Sequence, residues 1–125
     1  MGRPVGVRVA HPNLHFYVVL HMEFFHGSDV DSVESIVAFG IDPIAAAALG
    51  GGDVFWMTED LPTARIFALV NPAGGPPAVV GTQLPQKVVD SLVTRGVMRF
   101  DAPTGTWQVV DWGEFNNTAR FYRVE

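Results

Sequence analysis

The chain has 125 residues, a length that fits one domain with its own core and is too short for two. Apolar residues make up 48% of it and charged residues 17%, which is typical of a globular domain and not of a disordered chain. The net charge of −5 argues against a general nucleic-acid-binding surface. The chain has no cysteine, which excludes disulfides and thiolate metal sites and is compatible with a reducing cytoplasm.

The first 21 residues differ from the remainder. They contain two prolines and three of the four histidines, but no acidic residue. Two interpretations stay open: a leader before a natural start at Met22, with the domain over residues 22–125, or an extra N-terminal strand over Leu14 to Phe25. His11 and His15 have a spacing that binds metal on a helix, but the intervening proline disfavours a helix there. No metal site is therefore predicted. No apolar run approaches the roughly 20 residues that cross a bilayer, so no membrane association is predicted.

A helix is predicted over Val30 to Gly40. Asp31 is the expected N-cap, and Glu34 three residues later completes a capping box. Gly40 is the expected C-terminal glycine. The predicted apolar face of this helix consists of Val30, Val33, Ile36 and Val37.

A strand is predicted over Val54 to Thr58. Glu59 and Asp60 follow it where they can cap the next helix, and Pro62 fits the first turn of that helix. Its buried face is predicted to contain Leu61, Ala64, Phe67 and Ala68. Between the two helices, Ile41 to Leu49 is predicted to form a short helix or collar. Three glycines then form either a flexible surface loop or a loop that shapes a ligand pocket.

The C-terminal half is predicted to form strands with one helix among them. Pro85 opens that helix and Gly96 closes it, with a predicted apolar face of Val88, Val89, Leu92 and Val93. The chain is predicted to break at Gly113 to Thr118. Strands are predicted over Ala78–Leu84, Val97–Phe100, Thr106–Trp112 and Ala119–Val124. The whole chain is therefore predicted to be an α+β domain with a largely antiparallel core.

His26-Gly27-Ser28 stands at the expected end of the first strand, and Trp56-Met57-Thr58 lies in the next strand behind a glycine-rich loop. This ordered set resembles the NAD-binding half of ADP-ribosyltransferases of the diphtheria-toxin and poly-ADP-ribose-polymerase-like branch. Their motifs are His-Gly-Thr or His-Gly-Ser, then Tyr-x-Thr. The resemblance covers about a third of the chain and fades after Val70. It implies a split antiparallel β-sheet core flanked by helices.

The resemblance also implies that NAD is the substrate. His26 would hydrogen-bond the adenosine ribose, and the Gly27 backbone would pair with the nicotinamide amide. Trp56 stands where the family has the tyrosine that stacks on nicotinamide, and an indole supplies a similar flat face. The hydroxyls of Ser28 and Thr58 would orient the cofactor. The alternatives are that His26 is an ordinary turn histidine and Trp56 a core aromatic residue.

The family usually has a glutamate on a later strand that stabilises the positive charge developing on the ribose. The residue in register here is Gln108, which is neutral. Glu114 is the acidic candidate, because Gly113 could turn it into a cleft, whereas Asp111 could simply end the strand. With Gln108 in the catalytic position, the protein would bind NAD and transfer slowly, or use an acceptor whose own groups assist.

The implied function is ADP-ribose transfer from NAD to a macromolecular or small-molecule acceptor, as in bacterial toxins, effectors and antibiotic-modifying enzymes. A toxin would have a neutralising antitoxin or immunity protein as partner. The alternatives are a non-catalytic NAD-binding or interaction module with a degenerate site, and an NAD glycohydrolase. The arginines of the second half are predicted to be solvated surface charges, one of which could reach a pyrophosphate: Arg65, Arg95, Arg99, Arg120 and Arg123.

Overall fold

The computed structural model describes residues 4–9, 18–42, 54–70 and 75–125. These parts of the chain form an α+β structure with seven strands and four helices, which confirms the predicted class. In chain order the elements are β1 Pro4–Val9, β2 Val18–Asp29, α1 Val30–Phe39, β3 Phe55–Met57, α2 Leu61–Leu69, β4 Pro77–Pro85, α3 Gln86–Thr94, β5 Met98–Asp101, β6 Thr106–Val109, α4 Trp112–Thr118 and β7 Phe121–Arg123.

The strands form two antiparallel sheets, one in the order β1-β2-β4-β7 and one in the order β3-β6-β5. A single antiparallel bridge joins them within the described residues, between Phe25 of β2 and Thr58 just after β3. The Phe25 amide donates to the Thr58 carbonyl at 2.7 Å, and the Thr58 amide donates back to the Phe25 carbonyl at 2.9 Å. Beyond this bridge, no further backbone hydrogen bond joins the two sheets among the described residues.

Strand β2 supplies both hydrophobic layers of the fold, because successive side chains of a strand point to opposite faces. On one face Met22 and Phe24 join the main core, to which α1, α3, α4 and the second sheet contribute. On the other face Phe25 packs with Ala64 and Ala68 of α2. The small alanines permit the helix to lie close against the strand.

Helix α1 begins at Val30 as predicted, but the predicted N-cap was wrong by two residues. The N-cap is Asp29, whose carboxylate accepts a hydrogen bond from the Ser32 amide at 2.7 Å, and not Asp31. The physical reason is that β2 continues to Asp29, paired with β4, so the last strand residue caps the helix directly. His26-Gly27-Ser28 consequently lies within a strand and not in a loop.

Helix α2 begins as predicted, with Asp60 as N-cap accepting from the Thr63 amide at 3.1 Å and Pro62 in the first turn. Ala64 and Ala68 are buried as predicted, but Phe67 is 47% exposed. The helix approaches β2 along the narrow line of its two alanines, which leaves Phe67 at the side. Val37 of α1 and Val93 of α3 are likewise exposed at the sides of their predicted apolar faces.

The strand predicted over Thr106 to Trp112 begins as predicted but is three residues shorter, and the break predicted after it was wrong. The strand ends at Val109, and Trp112 to Thr118 form helix α4. Asp111 caps this helix by accepting from the Glu114 amide at 3.1 Å. Trp112 and Phe115 are both buried, at the three-residue spacing of a helix face.

Some predictions fall outside the described residues. They are the collar from residue 43 onward, the three glycines and the part of the leader segment at residues 1–3 and 10–17. Residues 4–9 form β1, which pairs with the start of β2. The leader interpretation stays a prediction.

The Asn116 side chain of α4 forms two hydrogen bonds with the backbone that follows α1. Its Oδ1 accepts from the Ile41 amide at 2.9 Å, and its Nδ2 donates to the Ile41 carbonyl at 3.0 Å. The preceding Gly40 has φ +83°, and a Cβ on it would lie 2.5 Å from Asn116 Oδ1. The glycine is therefore required both by its backbone conformation and by this close approach.

We expect Asn116→Ala to lower the free energy of unfolding by about 1–3 kcal/mol, because the buried Ile41 then loses the partners of both backbone groups. Chemical denaturation followed by circular dichroism measures it. Asn117→Ala is the matched control, since Asn117 is an exposed neighbour on the same helix. Equal stabilities of the two variants would contradict the role assigned to Asn116.

Candidate functional site

The candidate site is the opening where β2 and β3 separate. In an antiparallel ladder the backbone groups of alternate residues point to the same edge. The backbone groups of Gly27 therefore face the same edge of β2 as those of Phe25. The backbone groups of Trp56 likewise face the same edge as those of Thr58. A continued ladder would pair Gly27 with Trp56, but among the described residues no backbone hydrogen bond joins them. Both strands thus present backbone groups toward the opening.

The His26 side chain spans the two strands at this point. Its Nδ1 lies 2.7 Å from the Trp56 carbonyl oxygen, and its ring stacks on Phe55 with centroids 4.1 Å apart. A carbonyl only accepts hydrogen bonds, so this contact assigns the proton to Nδ1. In the neutral imidazole, Nε2 is then an acceptor. Burial lowers the pKa of His26, and the hydrogen bond to Trp56 raises it to a smaller extent, so the ring is neutral at pH 7.

This lowered pKa predicts a loss of stability in mild acid. The ordinary value is 6.5, so below about that pH the unfolded chain takes up a proton that folded His26 resists. The free energy of unfolding should therefore fall as the pH falls from 6.5 toward the folded-state pKa, with no contribution from His26 above about pH 7.5. Urea titrations between pH 5.5 and 8 measure it. His26→Asn keeps a donor for Trp56 and should remove this component, and an unchanged pH profile in that variant would contradict it.

Trp56, Gln108 and Arg99 lie side by side across the second sheet, because Gln108 of β6 is in register with Trp56 of β3 and Arg99 of β5. Trp56 is 38% exposed and Gln108 only 8%. Arg99 Nε donates to Gln108 Oε1 at 2.6 Å. Since the Trp56 backbone faces β2, Trp56 and Gln108 form a non-hydrogen-bonded pair, the kind in which side chains approach most closely. The structure thus places Gln108 beside Trp56.

Glu114 lies elsewhere, on the first turn of α4. Its carboxylate pairs with Arg95 at 3.1 Å, and both side chains are about half exposed. Gly113 lies inside the helix, so the predicted turn that would carry Glu114 into a cleft is wrong. Asp111 follows the strand and caps the helix. Among the described residues, the carboxylate of Glu114 makes no hydrogen bond or ion pair with His26, Trp56 or Gln108.

The remaining predicted residues have structural contacts of their own. A Cβ on Gly27 would lie 1.9 Å from the Ala64 carbonyl oxygen and 2.6 Å from the Ala68 amide nitrogen, so α2 packs directly on this glycine. Ser28 is buried in β2, opposite Ala78 of β4. Buried Thr58 accepts from the Asp60 amide through Oγ1 at 3.1 Å, which shapes the turn into α2.

Two residues of the site were not recognised in the sequence as site residues. Phe55 lies under the His26 ring, and Arg99 holds the Gln108 amide. Arg99 was expected to be a solvated surface charge. The sequence feature that could have indicated a role for Arg99 is the alternation of side chains along β5, which places Arg99 on the face opposite buried Met98.

Within the described residues, no three His, Asp or Glu side chains are grouped so that they could hold a metal ion. No described helix is long and apolar enough to cross a membrane. The chain matches no protein-family model, no curated protein and no solved structure.

Proposed function

We propose that this protein binds NAD in the opening between β2 and β3 and transfers ADP-ribose from it to an acceptor. The observation that carries the proposal is the His26–Trp56 contact, which spans the strands where the Gly27 and Trp56 backbones both face the opening. The implied fold is an ADP-ribosyltransferase-like split sheet flanked by helices. Two antiparallel sheets joined at one bridge are consistent with that fold.

Nicotinamide suits this opening in shape and in hydrogen bonding. Its carboxamide carries a donor and an acceptor in one plane, which complements the amide and carbonyl of a strand edge. The Gly27 backbone offers such an edge. The half-exposed Trp56 indole provides a flat apolar face on which the pyridinium ring can stack.

His26 suits the role of ribose ligand in its neutral form. With Nδ1–H donated to the Trp56 carbonyl, Nε2 can accept a hydrogen bond from a ribose hydroxyl of the adenosine. Ser28 and Thr58 flank this position along β2 and at the bridge, where their hydroxyls are proposed to help orient the cofactor. The proposed binding set is therefore His26, Gly27, Ser28, Trp56 and Thr58.

The neutral side chain of Gln108 affects whether the site can cleave the bond between ribose and nicotinamide. Cleavage of the bond to nicotinamide develops positive charge on the ribose, which a carboxylate would stabilise. The Gln108 side chain is neutral, and its oxygen already accepts from the Arg99 guanidinium. This hydrogen bond favours a second candidate function, a module that binds NAD without turning it over.

Titration of NAD into the purified protein, with nicotinamide release followed in the same sample, tests both functions. Binding with release and a labelled acceptor supports the transferase, and release without a labelled acceptor indicates NAD hydrolysis. Binding without release supports the non-catalytic module. No binding at millimolar NAD would contradict both candidates.

If nicotinamide is released, Gln108→Ala is expected to slow the release by about 10- to 100-fold, because Gln108 adjoins the proposed nicotinamide site. Glu114→Ala is expected to change the rate less than about twofold, since this carboxylate pairs with Arg95 on the surface. The reverse result would make Glu114 the catalytic acid. Circular dichroism of both variants controls for folding.

A further inference from the structure

Arg99 has binding capacity that its contacts in the fold do not use. Its guanidinium has five N–H donors, and the hydrogen bond to Gln108 uses only the one on Nε. The residue is exposed, and within the described part of the chain no carboxylate pairs with it. Its terminal nitrogens can therefore hold an anion.

The bond from Arg99 also determines what Gln108 offers a ligand. Because Oε1 accepts from Arg99, the orientation of the amide is fixed, and its nitrogen is available as a donor to a ligand. Arg99 and Gln108 thus both offer N–H donors, a combination that matches the oxygens of a phosphate.

The nearby carboxylates have partners of their own. Asp101, two residues after Arg99 on the same face of β5, accepts from the Thr104 hydroxyl. Glu59 accepts from the Trp107 indole at 2.9 Å, and Trp107 alternates with Gln108 on the opposite face of β6. Neither carboxylate forms an ion pair with Arg99.

We propose that the acceptor of ADP-ribose is a small molecule with a phosphate monoester, held by Arg99 and Gln108 beside Trp56. The proposal rests on the NAD site described above. A phosphate monoester is largely a dianion at neutral pH, so it needs no general base, and a carboxylate at position 108 would repel it. A small acceptor is favoured over a polyanion, because the protein carries a net charge of −5.

The reaction balances without a proton. A phosphate oxygen forms a bond to C1 of the nicotinamide ribose, and the bond from C1 to the pyridinium nitrogen breaks. The bonding electron pair leaves with nicotinamide, which becomes neutral. The phosphate changes from a dianion to a singly charged diester, so total charge is conserved.

The test uses ribose 5-phosphate, with ribose as its matched control, because neither contains the adenine that could occupy the NAD site. We expect ribose 5-phosphate to accelerate nicotinamide release at least about 10-fold, with the ADP-ribosylated product identified by mass spectrometry. Arg99→Gln should remove the acceleration. Arg123→Gln removes the same charge from an exposed position on β7 and should retain it.

A second measurement separates failure of this proposal from failure of the NAD proposal. Phosphorus NMR of ribose 5-phosphate, without NAD, should show binding that Arg99→Gln weakens and Arg123→Gln does not. If NAD binds but phosphate neither binds in an Arg99-dependent way nor accelerates release, the acceptor proposal is wrong and the NAD site stands. If phosphate binds in that way and NAD does not bind, the NAD function and the transfer to phosphate both fail. Stronger stimulation by a 5′-phosphorylated oligothymidylate than by ribose 5-phosphate would overturn the assignment of a small acceptor.

Discussion

Gly27→Ala is expected to lower the free energy of unfolding by at least about 3 kcal/mol, enough to leave much of a marginally stable domain unfolded. The added methyl group would lie 1.9 Å from the Ala64 carbonyl oxygen and 2.6 Å from the Ala68 amide nitrogen. Both atoms belong to the backbone of α2, so no side-chain rotation can relieve the overlap. The helix would have to move away from β2, which would open the packing around Phe25 and Val79.

Urea denaturation of Gly27→Ala beside Gly113→Ala measures this effect. Gly113 lies in α4, and the nearest atom to a Cβ there, Asp111 Oδ1, is 3.8 Å away. Alanine at that position should be neutral or stabilising by about 0.5–1 kcal/mol, because it is a better helix former than glycine. A loss of less than about 1 kcal/mol in Gly27→Ala would contradict the close packing of α2 on β2.

This expectation also affects how Gly27 is interpreted in functional experiments. The resemblance implies that glycine is needed because the nicotinamide amide pairs with its backbone. The structure provides a second reason, on the α2 side of the same residue. Loss of NAD binding in Gly27→Ala would therefore be no evidence for a ligand contact unless the variant is shown to be folded.

Trp56→Ala is expected to weaken NAD binding by about 10- to 100-fold, which is the range for losing one aromatic stacking partner of a base. Trp56 is 38% exposed, so its removal empties little of the core and should affect folding less than binding. The hydrogen bond of its carbonyl with His26 and its register opposite Gln108 do not depend on the indole. The measurement is calorimetric titration of NAD.

Two further variants make this test specific to stacking. Trp56→Tyr introduces the aromatic residue of the motif that this stretch resembles and should retain affinity within about 10-fold. Phe39→Ala removes an aromatic ring that is 85% exposed at the end of α1 and should not change the affinity. Unchanged affinity in Trp56→Ala would show that nicotinamide does not stack on this residue.

Local patterns were sufficient for most elements of the fold. Asp60 followed by Pro62 predicted the start of α2, and Gly40 predicted the end of α1, because caps depend on residues within one turn. Where two local signals competed, the prediction failed. Asp31 looked like a cap, but Asp29 is the cap because pairing with β4 continues the strand to that residue.

The sequence by itself determined the α+β class, the placement of most strands and helices, and the presence of His26, Trp56 and Gln108 on separate strands. The resemblance indicated Gln108 as the residue in register, but local propensity does not determine whether Glu114 or Gln108 lies beside Trp56, since that depends on register between strands about 50 residues apart. Only the tertiary structure decided three features: the separation of the sheets beyond Phe25, the packing of α2 on Gly27, and the Arg99–Gln108 hydrogen bond. The first two depend on how distant parts of the chain meet, and the third depends on the register between β5 and β6; local propensity specifies none of them.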